Sequence, residues 1–492
     1  MGDAGDVLLL DESLSILWTL VCSFFVVYMQ SGFALLEAGA VRAKNVKNIL
    51  LKNVIDICVS ILCWYAVGYA FAYGSCGENA FIGHADFFSS DNSMSGGVYW
   101  ARWIFRWTFS ATAATIVAGA VAERAQLKSY ALWTALCCGF LYPVVVHWVW
   151  SSSGWLSPFR QGCGEVGYSP YFSRTNGLMD FAGSGTVHML GGGAALMGAI
   201  MLGPRLGRFL PEPQRGVAYF EPASPTNMVL GAFSLWVGWY GFNAGSARCF
   251  LGCMDTAAKV AVNTTLSVGA STLTSLLLAV VLGEAGDVVR PLNGILAGGV
   301  SITAGCALVQ EYAAVVIGIG GALVYTASSK LLLRLRIDDP LDASPVHFFC
   351  GMWGLLAPGF FATQTSTEQV YTYARDWGVF YGGQGYQLGV QVLGVVVIAA
   401  WTCCLSGAAF WLLHKADWLR VSREMEVNGL DYTQGLLRQR TYKLAAAVRG
   451  EYADELPLPR DSERAQHGSR DADIVLHGRP SPTPNGHARG VY

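Results

Sequence analysis

The chain has 492 residues, of which 53% are hydrophobic and only 13% are charged. Soluble domains carry about 25% charged residues, so this composition excludes an ordinary soluble protein and indicates a protein that crosses a membrane several times. The formal net charge of −2 argues against a nucleic-acid partner.

Eleven apolar segments are predicted to cross the bilayer as helices. They cover residues 14–38, 47–73, 98–121, 128–150, 181–203, 226–244, 257–283, 292–307, 311–333, 344–362 and 386–414. Several of them approach or exceed the roughly 20 residues that a spanning helix needs. The predicted fold class is therefore an all-α polytopic membrane protein. We expect an extracellular N-terminus at 1–13, a transmembrane domain at 14–414, and a cytosolic tail at 415–492 whose distal part is disordered.

Positive residues are concentrated in alternate connections between these segments. They follow the first, third, fifth and ninth segments, and they include Arg42, Lys44, Arg124, Arg205, Arg208, Lys330 and Arg334. Connections rich in Lys and Arg stay on the cytoplasmic side of a membrane. The predicted orientation therefore has the N-terminus outside and the C-terminus in the cytosol, and the expected location is the plasma membrane.

Cysteines occur in the connections that this orientation places outside. Cys76 lies in the first of them, Cys163 in the second, and Cys249 and Cys253 lie near another. A bridge between the first two is compatible with an oxidising compartment, but the sequence does not select one pairing.

An Asp–His spacing occurs twice in the chain. Asp180 precedes His188 by eight residues, and Asp339 precedes His347 by the same distance. The two copies lie on the fifth and tenth segments, so a repeat unit has five segments and the second copy enters the membrane upside down. This predicts an inverted five-plus-five helix repeat, with a site near the membrane midplane where the two histidines meet. An Asp at a helix start is usually a cap, and that is the predicted structural role of Asp180.

Five further motifs resemble those of one known family. They are Gly-Phe-Ala-Leu-Leu-Glu-Ala-Gly at 32–39, Gly-Ala-Val-Ala-Glu-Arg at 119–124, Asp-Phe-Ala-Gly at 180–183 with Val-His at 187–188, Gly-Trp-Tyr-Gly-Phe-Asn-Ala-Gly-Ser at 238–246, and Asp-Asp-Pro at 338–340 with Val-His at 346–347. In this combination and order the chain resembles ammonium transporters of the Amt/Mep/Rh superfamily, nearest to plant- or alga-type members of the Amt branch.

The resemblance implies an eleven-span protomer, a homotrimer, and one hydrophobic pore in each protomer. It implies paired pore histidines at His188 and His347, a phenylalanine gate of Phe109 and Phe242, and an ammonium recruitment site of Trp150, Ser246 and Phe105 above Asp180. It implies neither a catalytic residue nor a cofactor or bound metal, and the chain is not expected to be an enzyme.

The expected chemistry follows from these side chains. Aromatic faces attract a desolvated cation, and a hydroxyl acceptor favours an ion that donates hydrogen bonds. Farther along an apolar pore the full charge would be costly, so ammonium is expected to deprotonate before it passes the two histidines. The substrate is therefore ammonium or ammonia, and the sequence leaves open whether net charge crosses the membrane.

The tail holds a further motif of this family, Gly-Leu-Asp-Tyr-Thr-Gln-Gly at 429–435. In Amt proteins a matching segment packs against the neighbouring protomer and couples opening across the trimer. Thr433 stands where plant-type members carry a regulatory threonine, so a kinase acting on the tail is an expected partner, together with membrane lipid.

Three alternatives remain at this point. One is a Rh-like channel for ammonia or another gas, and a second is an ammonium sensor. The third is a membrane redox protein in which the two histidines hold haem or a metal.

Overall fold

A computed structural model describes the backbone of residues 2–74, 79–90, 96–159, 172–210 and 220–432, with side chains from residue 6 onward. The chain divides into two units, Met1–Thr433 and Gln434–Tyr492, and the second lies outside the described residues. Thr433, Cys76, Cys163 and the distal tail that was predicted to be disordered also lie outside them.

The described residues are helical and contain no β-strand, which confirms the all-α prediction. The helices are α1 (Gly2–Ala40), α2 (Val46–Cys63), α3 (Tyr69–Tyr73), α4 (Gly97–Ala120), α5 (Leu127–Leu136), α6 (Tyr142–Trp150), α7 (Leu190–Leu202), α8 (Pro225–Trp239), α9 (Met254–Val281), α10 (Val289–Ile302), α11 (Glu311–Arg334), α12 (Cys350–Phe361), α13 (Gln364–Tyr371), α14 (Tyr386–Lys415) and α15 (Arg423–Asn428). Every predicted segment falls on helix within a few residues, except that the first helix already begins at Gly2 rather than near residue 14.

Short π-helical turns lengthen several of these helices. They are Trp64–Gly68, Cys137–Leu141, Ser184–Met189, Tyr240–Ala244 and Ser344–Phe349. A π-turn inserts an extra residue into a helix and is frequently found at functional sites. Three of the five contain residues that the sequence predicts to line the pore.

Within the described residues, seven helices are long and apolar enough to cross a membrane, or eight if a bent pair counts as one span. That pair, Ser344–Phe361 and Gln364–Tyr371, is bent by 112°. The segment α10 has 14 residues and is therefore about 21 Å long, which is shorter than a hydrocarbon core of ~30 Å. The total of eleven crossings therefore stays a prediction.

Helix contacts repeat between the two halves of the chain. In the first half α4 packs against α1, α2 and α7, and α2 packs against α5. In the second half α10 packs against α8, α9 and α12, and α9 packs against α11. The first and sixth segments, α1 and α8, also pack against each other. This matched set of neighbours is the pattern expected of two structurally equivalent halves.

Buried ion pairs join four connections at one end of the molecule. Glu123 bonds to Arg42 at 2.5 Å and to Arg205 at 3.3 Å, and Arg205 bonds to Asp338 at 2.8 Å. Burial raises the pKa of Asp338, but the hydrogen bonds and charge of Arg205 outweigh burial and hold that pKa below its ordinary value. These connections follow the first, third, fifth and ninth segments, so the positively charged connections share one side, as the predicted orientation requires.

The structure also selects a cysteine pair. Cys249 and Cys253 form a disulfide in the connection after the sixth segment, a pairing that the sequence left open.

Candidate functional site

The two repeated histidines lie in direct contact at the centre of the helical domain. Nδ1 of His188 is 3.2 Å from Nδ1 of His347, and the two rings are nearly parallel, with an angle of 18° between their planes. Both residues are buried. A hydrogen bond between two Nδ1 atoms requires one donor and one acceptor, so it holds the two rings in opposite tautomers when both are neutral.

This tautomer arrangement leaves two Nε2 atoms with different roles. The ring that donates through Nδ1 has a bare Nε2, which accepts, and its partner carries a proton on Nε2, which donates. Nε2 of His188 is buried and has no hydrogen-bond partner within the described residues. The pair can therefore offer a passing molecule one acceptor and one donor.

Each histidine sits in a π-turn whose start is capped by the preceding aspartate. Oδ2 of Asp180 accepts hydrogen bonds from the amide nitrogens of Gly185 and Thr186, and from the Thr186 hydroxyl, at 2.8–3.2 Å. The carboxylate of Asp339 accepts from the amides of Ala343 and Ser344 at 3.0 and 2.7 Å. The two copies of the repeat therefore share a local structure that orients both imidazoles.

Two glycines let the histidine-bearing segments approach each other. A Cβ on Gly192 would lie 2.1 Å from the backbone nitrogen of Phe348, the residue after His347. A Cβ on Gly351 would lie 2.9 Å from the backbone nitrogen of Met189, the residue after His188. Each glycine is four residues beyond its own histidine. The contact between the imidazoles therefore depends on a reciprocal pair of positions without side chains.

Two phenylalanines cover the histidine pair on one side. The rings of Phe109 and Phe242 are stacked, with centroids 3.9 Å apart and an angle of 15° between the planes. The Phe242 ring is 5.4 Å from the ring of His188. Both phenylalanines are buried, so the stack separates the histidines from the space beyond it.

Beyond the phenylalanines lies a cavity of about 30 Å³, which we call the Trp150 cavity. It is lined by Tyr73, Phe105, Arg106, Phe109, Tyr142, Trp150, Phe181, Ser246 and Arg248. The indole Nε1 of Trp150 donates to the backbone oxygen of Asp180 at 2.8 Å, which fixes the ring. The Ser246 hydroxyl donates to the backbone oxygen of Phe242 at 2.9 Å, so its oxygen keeps lone pairs for an incoming donor.

The carboxylate of Asp180 does not line this cavity, although its backbone oxygen holds Trp150. Oδ2 makes the three capping bonds, and Oδ1 is buried without a partner in the described part of the chain. The structure therefore brings Trp150, Ser246 and Phe105 together around one cavity, with Asp180 behind them.

A second, smaller cavity of about 20 Å³ lies on the other side of the histidines. His347 lines it together with Glu37 and apolar side chains that include Phe33, Ile116 and Leu341. Glu37 accepts a hydrogen bond from Nδ2 of Asn53 at 2.8 Å. The two cavities thus flank the phenylalanine and histidine pairs, which form the barrier between them.

Sequence reasoning missed two arginines of the Trp150 cavity. Arg106 lies in α4, one residue after Phe105 and four residues after Arg102. Arg248 follows Ser246 by two residues. A signal was present for Arg106, because a charged residue inside a predicted membrane segment is by default a functional candidate. Arg248 lies four residues beyond the predicted segment 226–244, so it carried no such signal.

The segment beyond α15 contacts the start of α2 in the same chain. The carboxylate of Asp431 accepts from the amides of Lys47 and Asn48 at 2.9 and 2.8 Å, and the amide of Leu430 donates to Oδ1 of Asn45 at 3.0 Å. This segment, which is predicted to contact a neighbouring protomer, is therefore bound to α2 of its own protomer.

Comparisons with known proteins agree on one class. A sequence model of the Ammonium Transporter Family matches residues 17–435. Ammonium transporter 1 member 1 of Arabidopsis thaliana is 41% identical over 411 residues, which are 81% of this chain and 80% of that protein. Its namesake from Oryza sativa subsp. japonica is 40% identical over 410 residues, again 81% and 80%. A solved structure called Sensor Amt Protein superimposes with a TM-score of 0.75 at 31% identity and covers 86% of this chain and 98% of its own.

Proposed function

Because the chain belongs to the ammonium transporter family, we propose that it moves ammonium or ammonia from the Trp150 cavity, past the stacked phenylalanines, to the paired histidines. The observation that carries this path is the Nδ1–Nδ1 contact of His188 and His347 directly behind the stack of Phe109 and Phe242. The remaining steps follow from the chemistry of these side chains.

Recruitment takes place in the Trp150 cavity. The faces of Trp150 and Phe105 attract a desolvated cation by about 2 kcal/mol. The oxygen of Ser246 accepts one of the four N–H groups, because its own proton is engaged by the backbone oxygen of Phe242. Potassium donates no hydrogen bonds, so this directional acceptor favours ammonium over potassium.

Passage requires the phenyl rings to move, because their 3.9 Å stacking leaves no opening between them. The space beyond them is apolar, and a full charge there would suffer a large desolvation penalty. Ammonium therefore transfers one proton to solvent water on the Trp150 cavity side, and neutral ammonia goes on. The ammonia that remains donates to the bare Nε2 of one imidazole and accepts from the protonated Nε2 of the other.

Assembly and location follow the family expectation. We propose a homotrimer in the plasma membrane, with the N-terminus outside and the tail in the cytosol, where a kinase acts on Thr433. The exposed apolar side chains along α9, such as Leu273, Leu277 and Val281, support contact with lipid or with another protomer. Native mass spectrometry should detect three copies per particle, and any other stoichiometry would contradict this assembly.

Growth and uptake in a yeast strain without its own ammonium transporters test the path. Wild type should restore growth on low ammonium, whereas His188→Ala and Phe242→Ala should lose most uptake at equal surface expression. Matched controls are His84→Ala, an exposed histidine, and Phe233→Ala, which is 49% exposed on α8. Absence of rescue by surface-expressed wild type would contradict the proposal.

Electrical recording of the same proteins separates the two forms of transport. A current proportional to ammonium uptake would show that net charge crosses the membrane, which requires the proton to cross by a route separate from that of ammonia. Uptake without a current assigns net ammonia.

Sensing is the second candidate, because the structure called Sensor Amt Protein is similar over most of both chains. A variant such as His188→Ala that abolishes uptake but preserves an ammonium-dependent cellular response would favour sensing over transport. The matched family favours transport over the redox interpretation of the two histidines.

A further inference from the structure

Three arginines surround the entrance to the Trp150 cavity. A larger cavity of about 740 Å³, which we call the vestibule, shares four lining residues with the Trp150 cavity: Tyr73, Arg106, Trp150 and Arg248. Arg102 also lines the vestibule. The path proposed for a cation therefore begins between three positive charges.

None of these arginines forms an ion pair with a carboxylate in the described part of the chain. Arg106 donates to the Tyr69 hydroxyl at 3.2 Å and lies over the Tyr73 ring at 3.5 Å, but its Nε is buried without a partner there. The guanidinium of Arg248 lies 5.3 Å from the ring of Phe159. Among the described residues, these two guanidinium groups contact aromatic faces and one neutral hydroxyl, which leaves most of their N–H donors without an acceptor there.

The arginines also act on one another. Burial first, and then the positive charge of Arg106, lowers the pKa of Arg248 to about 10, so Arg248 remains charged at neutral pH. Arg248 has a left-handed backbone with φ of 56°, a conformation that a non-glycine residue rarely adopts. The chain therefore places this guanidinium in the vestibule despite both a like charge and an unfavourable backbone.

We propose that the vestibule binds a small inorganic monoanion between Arg106 and Arg248, with Arg102 at its edge. The guanidinium donors match such an anion, which supplies the partner that Nε of Arg106 lacks. With the anion bound, two of the positive charges are balanced in part and ammonium approaches Trp150 beside a negative charge. The inference rests on the proposed function, because it makes the anion a co-ligand for ammonium recruitment.

Linkage makes the proposal quantitative. If bound anion raises the affinity for ammonium by some factor, bound ammonium must raise the affinity for the anion by the same factor. We expect a factor of about 5 or more, the lower end of the range usual for coupled sites. Arginines that merely repel cations would give no such coupling.

The test uses chloride as the probe. Purified full-length protein is titrated with chloride in gluconate buffer at constant ionic strength, and the broadening of the ³⁵Cl resonance reports binding. Wild type should broaden the resonance, and ammonium should strengthen that binding. Arg106→Gln and Arg248→Gln should abolish it, whereas Arg174→Gln should not, because Arg174 bonds to Tyr386 and does not line the vestibule.

Ammonium uptake into proteoliposomes supplies the second readout. The KM of wild type should be about 5-fold or more lower in chloride than in gluconate, and the KM of Arg248→Gln should be the same in both. Absence of broadening in wild type would overturn the proposal. Unchanged broadening in both folded variants would also overturn it. So would a KM of Arg248→Gln that is lower than the wild-type KM by the same factor in chloride and in gluconate, because the variant would then keep the full effect of chloride.

Failure of the transport function gives a different result. Chloride binding that depends on Arg106 and Arg248, in a wild-type protein that takes up no ammonium, would support the anion site and contradict transport. Size-exclusion profiles equal to wild type verify that the variants are folded.

Discussion

The close approach at Gly192 makes a sharp prediction about the histidine pair. Substitution Gly192→Ala adds one methyl group, which would lie 2.1 Å from the backbone nitrogen of Phe348. An ordinary van der Waals contact begins at 3.4 Å, so the two segments must separate by about 1.3 Å. The neighbouring contact is backbone, which cannot rotate away as a flexible side chain would.

The consequence falls on the imidazoles because Phe348 directly follows His347. A separation of 1.3 Å added to the 3.2 Å between the Nδ1 atoms exceeds the length of a hydrogen bond. The overpacking should destabilise the protein by about 1–3 kcal/mol. We expect ammonium uptake to fall by tenfold or more, since a displacement of ~1 Å in a preorganised site costs up to about 100-fold.

Uptake of ammonium by a yeast strain without its own transporters is the assay, normalised to surface protein. The graded series includes Gly351→Ala, whose Cβ would lie 2.7 Å from the Ser184 oxygen, and Gly269→Ala, whose Cβ would meet nothing within 4 Å. Uptake should decrease in the order Gly269→Ala, Gly351→Ala, Gly192→Ala. Normal uptake by a folded Gly192→Ala variant would refute the reasoning.

Three further predictions concern the aspartates. Asp180→Asn should reduce uptake less than Asp180→Ala, because an amide oxygen can replace Oδ2 as acceptor of its three hydrogen bonds; equal, complete loss would instead assign the role to the charge. The pKa of Asp338 is lower in the folded protein than in the unfolded chain, because the effect of burial is outweighed by Arg205, which stabilises the carboxylate. The ionised carboxylate therefore stabilises the fold at pH values above the ordinary Asp pKa, and this stabilisation is lost as the pH falls through the pKa of the folded state. The Tm of purified wild type should therefore fall more steeply than that of Asp338→Asn as the pH is lowered below about 4, and parallel curves would contradict this. Asp431→Ala should cost about 1 kcal/mol at the start of α2 and speed hydrogen exchange at the amides of Lys47 and Asn48, whereas unchanged exchange would show that the cap is dispensable.

The inverted repeat explains why His188 and His347 lie in contact at the interface between the two halves. Each half supplies one capping aspartate, one π-turn, one histidine and one glycine four residues later. Neither half alone could satisfy a buried imidazole, because its Nδ1 partner lies on the other half. We infer that the pair is a property of the packed interface between the halves rather than of either segment.

The helical, membrane-spanning class and the positions of the helices could be predicted from the amino-acid sequence alone. Apolar length and the distribution of charge are local properties, so they can be read without knowing which segments touch. The repeated spacing of Asp180 to His188 and Asp339 to His347 predicted equivalent segments for the same reason. The predicted start of the first helix was wrong, because the acidic N-terminal residues are already helical from Gly2.

The contacts between these segments became known only from the folded structure. The Nδ1 contact joins residues 159 positions apart, and its length depends on backbones that approach at Gly192 and Gly351. The presence of Arg106 and Arg248 in one cavity likewise depends on the packing of α4 against the end of the sixth segment. Such distances are set by the packing of whole helices, for which a single sequence carries no local signal.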